Sequence, residues 1–586
     1  MSPDRTGRAG GAGRSGGDSG HDRGRPPGRD SGRRRDGQGR DGAVRRDGQG
    51  RDGAVRRDGA RRPGRPDPAR AVAYEVLREV RESDAYANLV LPVLLRERGL
   101  TGRDAAFATE LAYGTLRLRG RYDAVLEQCT NGRPLTALDA PVLDLLRLGA
   151  HQILGMRVPV HAAVSETVTL TRASVGPAPA GLVNAVLRAV ARRSLQEWLA
   201  VLAPPAGKAN RAGHTDRTDR TDRTNRAGRT DRTDRTDRTD RTDGADGAGE
   251  RDATEDAPLG DDVAVLSRTE SHPEWITRAL RQALVAHGRP AADLPGLLAA
   301  DNAAPRVALV ARPGLVTTDA LADEAARAGE SGVRRGRWSP VALVPGGGDP
   351  ALLPSVRRAA AGVQDEGSQL VALALAAAPL GPDREGAAHD RQWLDLCAGP
   401  GGKAALLGAL AHQRGAHLLA NEVAPHRAGL VRGSVAAVPA GTVEVRVGDG
   451  REVGELFPAS YDRVMVDAPC TGLGALRRRP ESRWRRTPGD LTALSPLQRD
   501  LLTSALESVR PGGVVAYVTC SPHLAETRAV VEDVLRRRDD VEVLDAVAVL
   551  DDITVEPLPG LTGPYVQLWP DLHGTDAMFL ALLRRR

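Results

Sequence analysis

Two cysteines in this chain follow predicted buried strands and sit in short motifs that could react. Cys470 stands in Asp467-Ala468-Pro469-Cys470-Thr471-Gly472-Leu473-Gly474, and Cys520 in Thr519-Cys520-Ser521-Pro522. A thiolate is a strong nucleophile, and covalent catalysis by an activated cysteine divides one hard step into easier ones. A third stretch runs Leu394-Asp395-Leu396-Cys397-Ala398-Gly399-Pro400-Gly401-Gly402-Lys403. It reads as the end of a buried strand, a glycine turn and the start of a helix through Ala404–Gln413. Glycines there permit positive φ and let the backbone approach a ligand, while the helix start offers unpaired N–H groups. Three readings of the turn compete. A phosphate-cradling P-loop needs Gly at 397 and Ser or Thr after the lysine, so Cys397 and Ala404 exclude it. The dinucleotide fingerprint fits as Gly399-x-Gly401-x-x-Ala404. A pocket for S-adenosylmethionine is the third, and what lies downstream supports it.

From Gln392 the hydrophobic pattern alternates strand and helix. Strands are expected at Trp393–Cys397, Leu418–Glu422, Val443–Val447, Arg463–Asp467, Val514–Thr519, Val541–Leu544 and Ala577–Leu583, and helices after Gly402, at Pro425–Ala437, Ser495–Arg510 and Glu526–Arg537. Repeated βα units give a doubly wound, mostly parallel sheet that binds its ligand at the carboxyl ends of the strands. Glu422 ends the second strand, where a carboxylate can accept hydrogen bonds from a ribose. Asp449 follows the third, where it can read an adenine, and Arg427 is grouped with them. An acid at a strand end is often only a helix cap; two in register with the glycine turn carry more weight.

Both reactive thiols therefore face the cofactor end of the sheet. Carbon 5 of a cytosine is too weak a nucleophile to take a methyl group unaided. A thiolate adding at carbon 6 activates it, and loss of the carbon-5 proton then releases the thiol. Asp467 is placed to bind the polar edge of the ring. Cys129 and Cys397 read as buried structural thiols, although Cys397 also belongs to the turn. Beyond Cys470, the loop Arg477-Arg478-Arg479-Pro480-Glu481-Ser482-Arg483-Trp484-Arg485-Arg486 sets six arginines around one tryptophan. Such a loop can pair with phosphates and stack on an unpaired base.

Residues 67–200 read as helices throughout, at Ala71–Arg81, Ala85–Glu97, Arg103–Arg119, Asp139–Leu154, Ala162–Ser174 and Ala180–Arg193. Phe107, Leu111, Tyr113, Leu116 and Leu118 are expected in the core of that bundle. Residues 261–380 read as a small α+β unit with strands at Arg306–Arg312 and Val341–Val344 and a helix at Thr318–Ala328. His272 there suits a turn ahead of a helix better than a catalytic role. Asp365 and Ser368 either cap a helix at Leu370–Ala377 or contact a ligand.

Residues 1–65 hold 18 Arg against 9 Asp, a net of +9, whereas the whole chain is +6, so residues 66–586 sum to −3. The basic character thus belongs to a tail with almost nothing to bury, in which Arg34–Val44 recurs as Arg45–Val55; disorder is expected. Thr-Asp-Arg triplets over 215–223 and 230–241 mark residues 201–260 as a flexible linker. Four scattered cysteines suit neither a disulfide framework nor a zinc cluster, and no window has the apolar length of a membrane span. A cytoplasmic protein without a metal is expected.

Two resemblances now come into view. Arg103-Asp104-Ala105-Ala106-Phe107, Glu110-Leu111-Ala112-Tyr113-Gly114, Val158-Pro159 and Gly181-Leu182-Val183-Asn184-Ala185-Val186-Leu187-Arg188 resemble the NusB-type RNA-binding helical domain. The glycine turn through Lys403, Asp467-Ala468-Pro469-Cys470 and Thr519-Cys520-Ser521 together resemble the two-cysteine RNA 5-methylcytosine methyltransferases. The helical domain ahead of the catalytic core is similar to the bacterial small-subunit ribosomal RNA enzymes of the RsmB (Sun, Fmu) type.

The resemblance implies a Rossmann-like class I core over 381–586 and an all-α NusB-like domain over 66–200. It also implies S-adenosyl-L-methionine as cofactor, held by Cys397, Ala398, Gly399, Pro400, Gly401, Gly402, Lys403, Glu422, Arg427, Asp449 and Asp467. Cys520 would be the nucleophile and Cys470 the residue that assists release, whereas DNA cytosine methyltransferases use the Pro-Cys thiol. The substrate it implies is 16S ribosomal RNA, at the cytosine conventionally numbered 967, methylated by a monomer. The chain departs from the family pattern at Gly399 and Ala404 in the turn, and in keeping only Glu526 of an acidic cluster after Thr-Cys-Ser. A non-catalytic RNA-binding assembly factor, action on another RNA such as tRNA, and a nicotinamide dehydrogenase are the alternatives. The paired thiols argue against the first and the last.

Overall fold

Apolar residues at three- to four-residue spacing produce the helical first domain. The computed structural model describes residues 65–203, 259–382 and 390–586. The expected tail, apart from its last residue, and most of the expected linker lie outside the described residues. Helices Pro68–Glu82, Ala87–Glu97, Gly102–Arg117, Ala140–Leu154, Val160–Ser174 and Ala180–Val190 fall within a few residues of their expected places. Leu111 and Leu116 are buried in this bundle, with Phe107, Tyr113 and Leu118 packed at its margin. Two further helices, Arg119–Cys129 and Leu195–Leu202, match no predicted one. The first buries Arg121, which pairs with Glu270 of the next unit, so hydrophobic periodicity understates it. The second announces itself differently, by a capping box between Ser194 and Glu197.

Helices Leu259–Thr269, Glu274–Ala286 and Leu294–Asp301 lead into a small antiparallel sheet. Its strands are β1 (Leu309–Ala311), β2 (Arg334–Arg335), β3 (Ala342–Val344) and β4 (Ala361–Val363), in the order β2-β3-β1-β4. Helix Glu366–Ala377 then passes beneath the main sheet, with Asp365 accepting from Gly367 N as its cap. His272 is buried in the turn ahead of Glu274–Ala286, with Nδ1 2.6 Å from Glu270 O.

The main sheet contains β5 (Gln392–Asp395), β6 (His417–Glu422), β7 (Val443–Val447), β8 (Tyr461–Asp467), β9 (Val509–Thr519), β10 (Val541–Leu544), β11 (Val566–Gln567) and β12 (Phe579–Arg585). The order is β10-β12-β9-β8-β5-β6-β7, with β11 paired to β12. The strands from β9 to β7 are parallel, and β10, β11 and β12 join antiparallel. Alternate residues feed two cores. Trp393, Met465 and Ala516 pack on one face with Leu370 and Leu406, while Leu394, Val464 and Tyr517 pack on the other with Leu502. The chain runs outward from β5 through β6 and β7, then crosses back to β8 and β9. That reversal opens the crevice at the carboxyl ends of β5 and β8, where ligands bind in such sheets.

Candidate active site

Parallel pairing of β8 with β9 sets Asp467 opposite Val518, so the loops that leave these strands run side by side. Their thiols meet. Cys470 Sγ and Cys520 Sγ lie 3.4 Å apart. The hydrogen bond from Cys470 is the main influence lowering the pKa of Cys520, with Lys403 and Arg479 adding positive charge. The same bond, then burial, raises Cys470 well above the usual thiol range. Of the two thiols, Cys520 is therefore the more readily ionised.

Glu526 holds the two loops together, a role not anticipated for it. Fully buried, its carboxylate accepts from Thr471 N at 2.7 Å, from Thr471 Oγ1, and from Gln498 Nε2 at 3.2 Å. Thr471 Oγ1 lies 3.2 Å from Ser521 Oγ, and Gly474 N donates to Cys520 O. The residue after each cysteine is thus tied to its counterpart. Glu526 stands out in the sequence only as an acid shortly after Thr-Cys-Ser-Pro.

The glycine turn has the predicted form. Gly401 takes φ 110° at the start of helix Gly402–Gln413. Gly399 N donates to Glu422 Oε2 at 2.9 Å, while Arg427 Nη2 donates to Gly399 O at 2.6 Å and its Nη1 lies 3.5 Å from Glu422 Oε1. Asn421 Nδ2 donates to Leu396 O and Gly448 O, tying three strand ends. Asp449 caps the turn at Gly450 and pairs with Arg451 at 2.6 Å. Lys403 Nζ lies 2.9 Å from Asp467 Oδ2, so the lysine assigned to the cofactor also orients the acid beside Cys470. Burial works to lower the Lys403 pKa, but Asp467, joined by Cys520 and Asp395, raises it overall and the group stays charged.

Asp395, at the end of β5, is wholly buried with no side-chain hydrogen bond to its carboxylate; burial and then Asp467 push it up to about 7 against the pull of Lys403 and the Cys397 N–H. Glycines at 399 and 401 with no room for a Cβ, the start of helix Gly402–Gln413 and the Glu422 carboxylate together fit a cationic, ribose-bearing cofactor. Cys397 and Ala398 pack into the cores beside the turn and Pro400 O accepts from Ser434 Oγ, with Cys397 raised well above the usual range by burial. A methyl group at Gly399 would stand 2.2 Å from Glu422 Oε2. Gly399→Ala is accordingly expected to displace Glu422 and weaken S-adenosylmethionine binding at least about tenfold, roughly the cost of one lost charge-assisted hydrogen bond, as isothermal titration would measure.

The arginine loop departs from expectation. Instead of facing solvent for RNA, most of it is bound within the protein. Arg477 is buried near Asp576 and Asp365, and Arg478 Nη2 reaches Asp365 at 2.6 Å. Arg483 is 0% exposed and donates to Arg117 O, Ser271 O, Asp301 O and Asn302 Oδ1. Trp484 lies against Gly120 under the Arg119 guanidinium, and Arg485 caps Val80 O and Ala85 O. Arg486 binds Thr471 O and Asp490. Arg479 alone in the loop is exposed, beside the Tyr86 ring. A charge run in sequence does not reveal how many carbonyls and carboxylates the fold brings to meet it.

A doubly wound sheet, a glycine turn with its acids and a thiol pair at the switch point define an S-adenosylmethionine-dependent methyltransferase core. Comparison with known proteins narrows this. A family model described as 16S rRNA methyltransferase RsmB/F matches residues 385–584, and the NusB family model matches 67–192. The putative methyltransferase Rv1407 of Mycobacterium tuberculosis is 47% identical over 520 residues, spanning 89% of this chain and 97% of that protein. The probable ribosomal RNA small subunit methyltransferase B of Bacillus subtilis is 26% identical over 88% of this chain and 98% of its own length. In fold, the crystal structure of PH0851 aligns with a TM-score of 0.64 at 18% identity, covering 89% of this chain and 99% of that one. The chain belongs to the RsmB/F family of ribosomal RNA methyltransferases, with a NusB-like domain ahead of its catalytic core. Among the described residues no helix is long and apolar enough to cross a membrane.

Proposed function

We propose that this protein methylates carbon 5 of one cytosine in 16S ribosomal RNA, the position conventionally numbered 967, through a covalent adduct with Cys520. The observation that carries the reading is the 3.4 Å contact between two thiols at the cofactor end of the sheet. S-adenosylmethionine supplies an electrophilic methyl on a sulfonium centre. The Cys520 thiolate adds to carbon 6 of an unstacked cytosine, whose displaced π electrons make carbon 5 nucleophilic toward that methyl. Asp467, oriented by Lys403, receives the polar edge of the ring. Once the methyl is on carbon 5, a base removes the carbon-5 proton, the freed electron pair re-forms the 5,6 double bond, and the carbon–sulfur bond breaks to return a thiolate to Cys520. Cys470, the less acidic of the two thiols, assists release by hydrogen-bonding the departing sulfur.

Tritiated S-adenosylmethionine and undermodified 16S ribosomal RNA test this directly. Label should appear as 5-methylcytosine at one position; label on another atom, or none, rejects the reading. A pH series adds a second check. The reactive form is the anion, so adduct formation should rise with pH and level off at a lower pH than for an ordinary thiol. Removing the Cys470 hydrogen bond by Cys470→Ala should move that limb to higher pH.

A further inference from the structure

A second cavity at the same end of the sheet has no part in the reaction above. It measures about 360 Å³ and is lined by His287, Arg528, Tyr565, Gln567 and Trp569. Three elements form it: the end of helix Glu274–Ala286, the segment 560–567, and the start of helix Arg528–Leu535. Two independent routes place it beside the thiols. Gln567 pairs with Phe579, which pairs with Thr519, the residue before Cys520. With strands spaced about 4.8 Å apart, the Gln567 backbone lies roughly 10 Å from that of Thr519. Arg528, in turn, is two residues beyond Glu526, the carboxylate that grips Thr471.

The lining carries unused hydrogen-bonding capacity. Gln567 is 2% exposed; its Nε2 faces the carbonyls of Leu568 and Met578, which fixes the amide orientation and leaves Oε1 without a partner. His287 Nε2 is also unpartnered, and burial followed by the charge of Arg528 pushes the ring pKa down to about 4, so it is neutral near pH 7. Arg528 uses Nη1 on Ala286 O and Nε on Glu532 at 3.4 Å, which leaves Nη2 toward the opening, and stands 6.0 Å from the centre of the Tyr565 ring. An acceptor amide, a neutral imidazole, a cation and aromatic rings together complement a flat heterocycle with N–H donors on its edge and a phosphate close by. A buried amide oxygen left unpaired is unfavourable, which a base carrying an amine or imino group would relieve.

We propose that this cavity receives an unpaired base of the same RNA strand, about one or two nucleotides from the target cytosine. The proposal rests on the reaction assigned above for its substrate, but not on its chemistry. The test uses the full chain and a target RNA carrying 4-thiouridine, placed in turn at each nucleotide flanking the cytosine, with crosslinked peptides mapped by mass spectrometry. One position should crosslink within residues 560–569. A target RNA lacking the base at that position should show a KM raised about tenfold, the lower part of what stacking on an aromatic ring supports, with kcat within about twofold. In Gln567→Leu, and separately in the rim variant Tyr565→Ala, KM for intact RNA should already be raised and removal of the base should add nothing. Methyl transfer with crosslinks only elsewhere, and an undiminished response to base removal in both variants, overturns the pocket alone. Crosslinking at 560–569 without methyl transfer keeps the pocket and rejects the reaction. Crosslinks abolished by excess AMP while methylation continues would make this a free-nucleotide site and overturn the RNA assignment.

Discussion

Cys520→Ala is expected to lower methyl transfer to 16S ribosomal RNA by about four orders of magnitude or more, the scale seen when a group acting as one unit of a nucleophilic machinery is removed. Binding of RNA and of S-adenosylmethionine should survive, because the thiol contributes to neither the glycine turn nor the acids around it. Cys470→Ala should behave differently. The nucleophile remains, so carbon 6 is still attacked; the residue that completes release is gone. A protein–RNA species that persists on a denaturing gel should accumulate while turnover falls. The asymmetry of the pair supports this division: the Cys520 thiol is shifted down and the Cys470 thiol up. Turnover retained by Cys520→Ala, together with an adduct in neither variant, would reject the covalent route. An adduct formed by Cys520→Ala but not by Cys470→Ala would reverse the roles.

Much of this site was legible because its residues act through local geometry. A glycine that must take φ 110°, an acid ending a parallel strand and a cysteine just past a strand each leave a trace within a few residues of sequence. The doubly wound sheet follows from the alternation after Gln392, and the switch point from strand order. Long-range partners leave no such trace. Glu526 reads as one acid among many until the fold brings Thr471 to it across 55 residues. Asp365, open in the sequence between cap and ligand contact, turns out to cap its helix and also to receive Arg478 from 113 residues away. Residues 477–486 misled because arginine density is a property of composition, whereas exposure is a property of packing.

Arg483→Ala is expected to destabilise the protein by about 3–5 kcal/mol, the usual cost of stripping one partner from a buried charged cluster. The guanidinium bridges three parts of the chain: Arg117 in the helical domain, Ser271, Asp301 and Asn302 in the small unit, and its own loop 13 residues beyond Cys470. Its removal leaves three carbonyl oxygens and one amide oxygen short of a donor, and removes the cation facing Asp301, which burial already pushes up to about 7. Arg483→Lys should recover little of the loss, because an ammonium cannot span the same fork of acceptors. Unfolding in urea measures the first effect, and protease sensitivity near the 269–272 turn should rise with it. An RNA-facing arginine would respond in the opposite way, with weaker RNA binding, a smaller salt dependence and unchanged stability. If the variant unfolds like the wild type and only its RNA affinity falls, then Arg483 does not bridge the domains as the fold places it. With the bridge in place, the helical domain is fastened directly to the loop that carries Cys470. The helices and the Cys470 loop then move together.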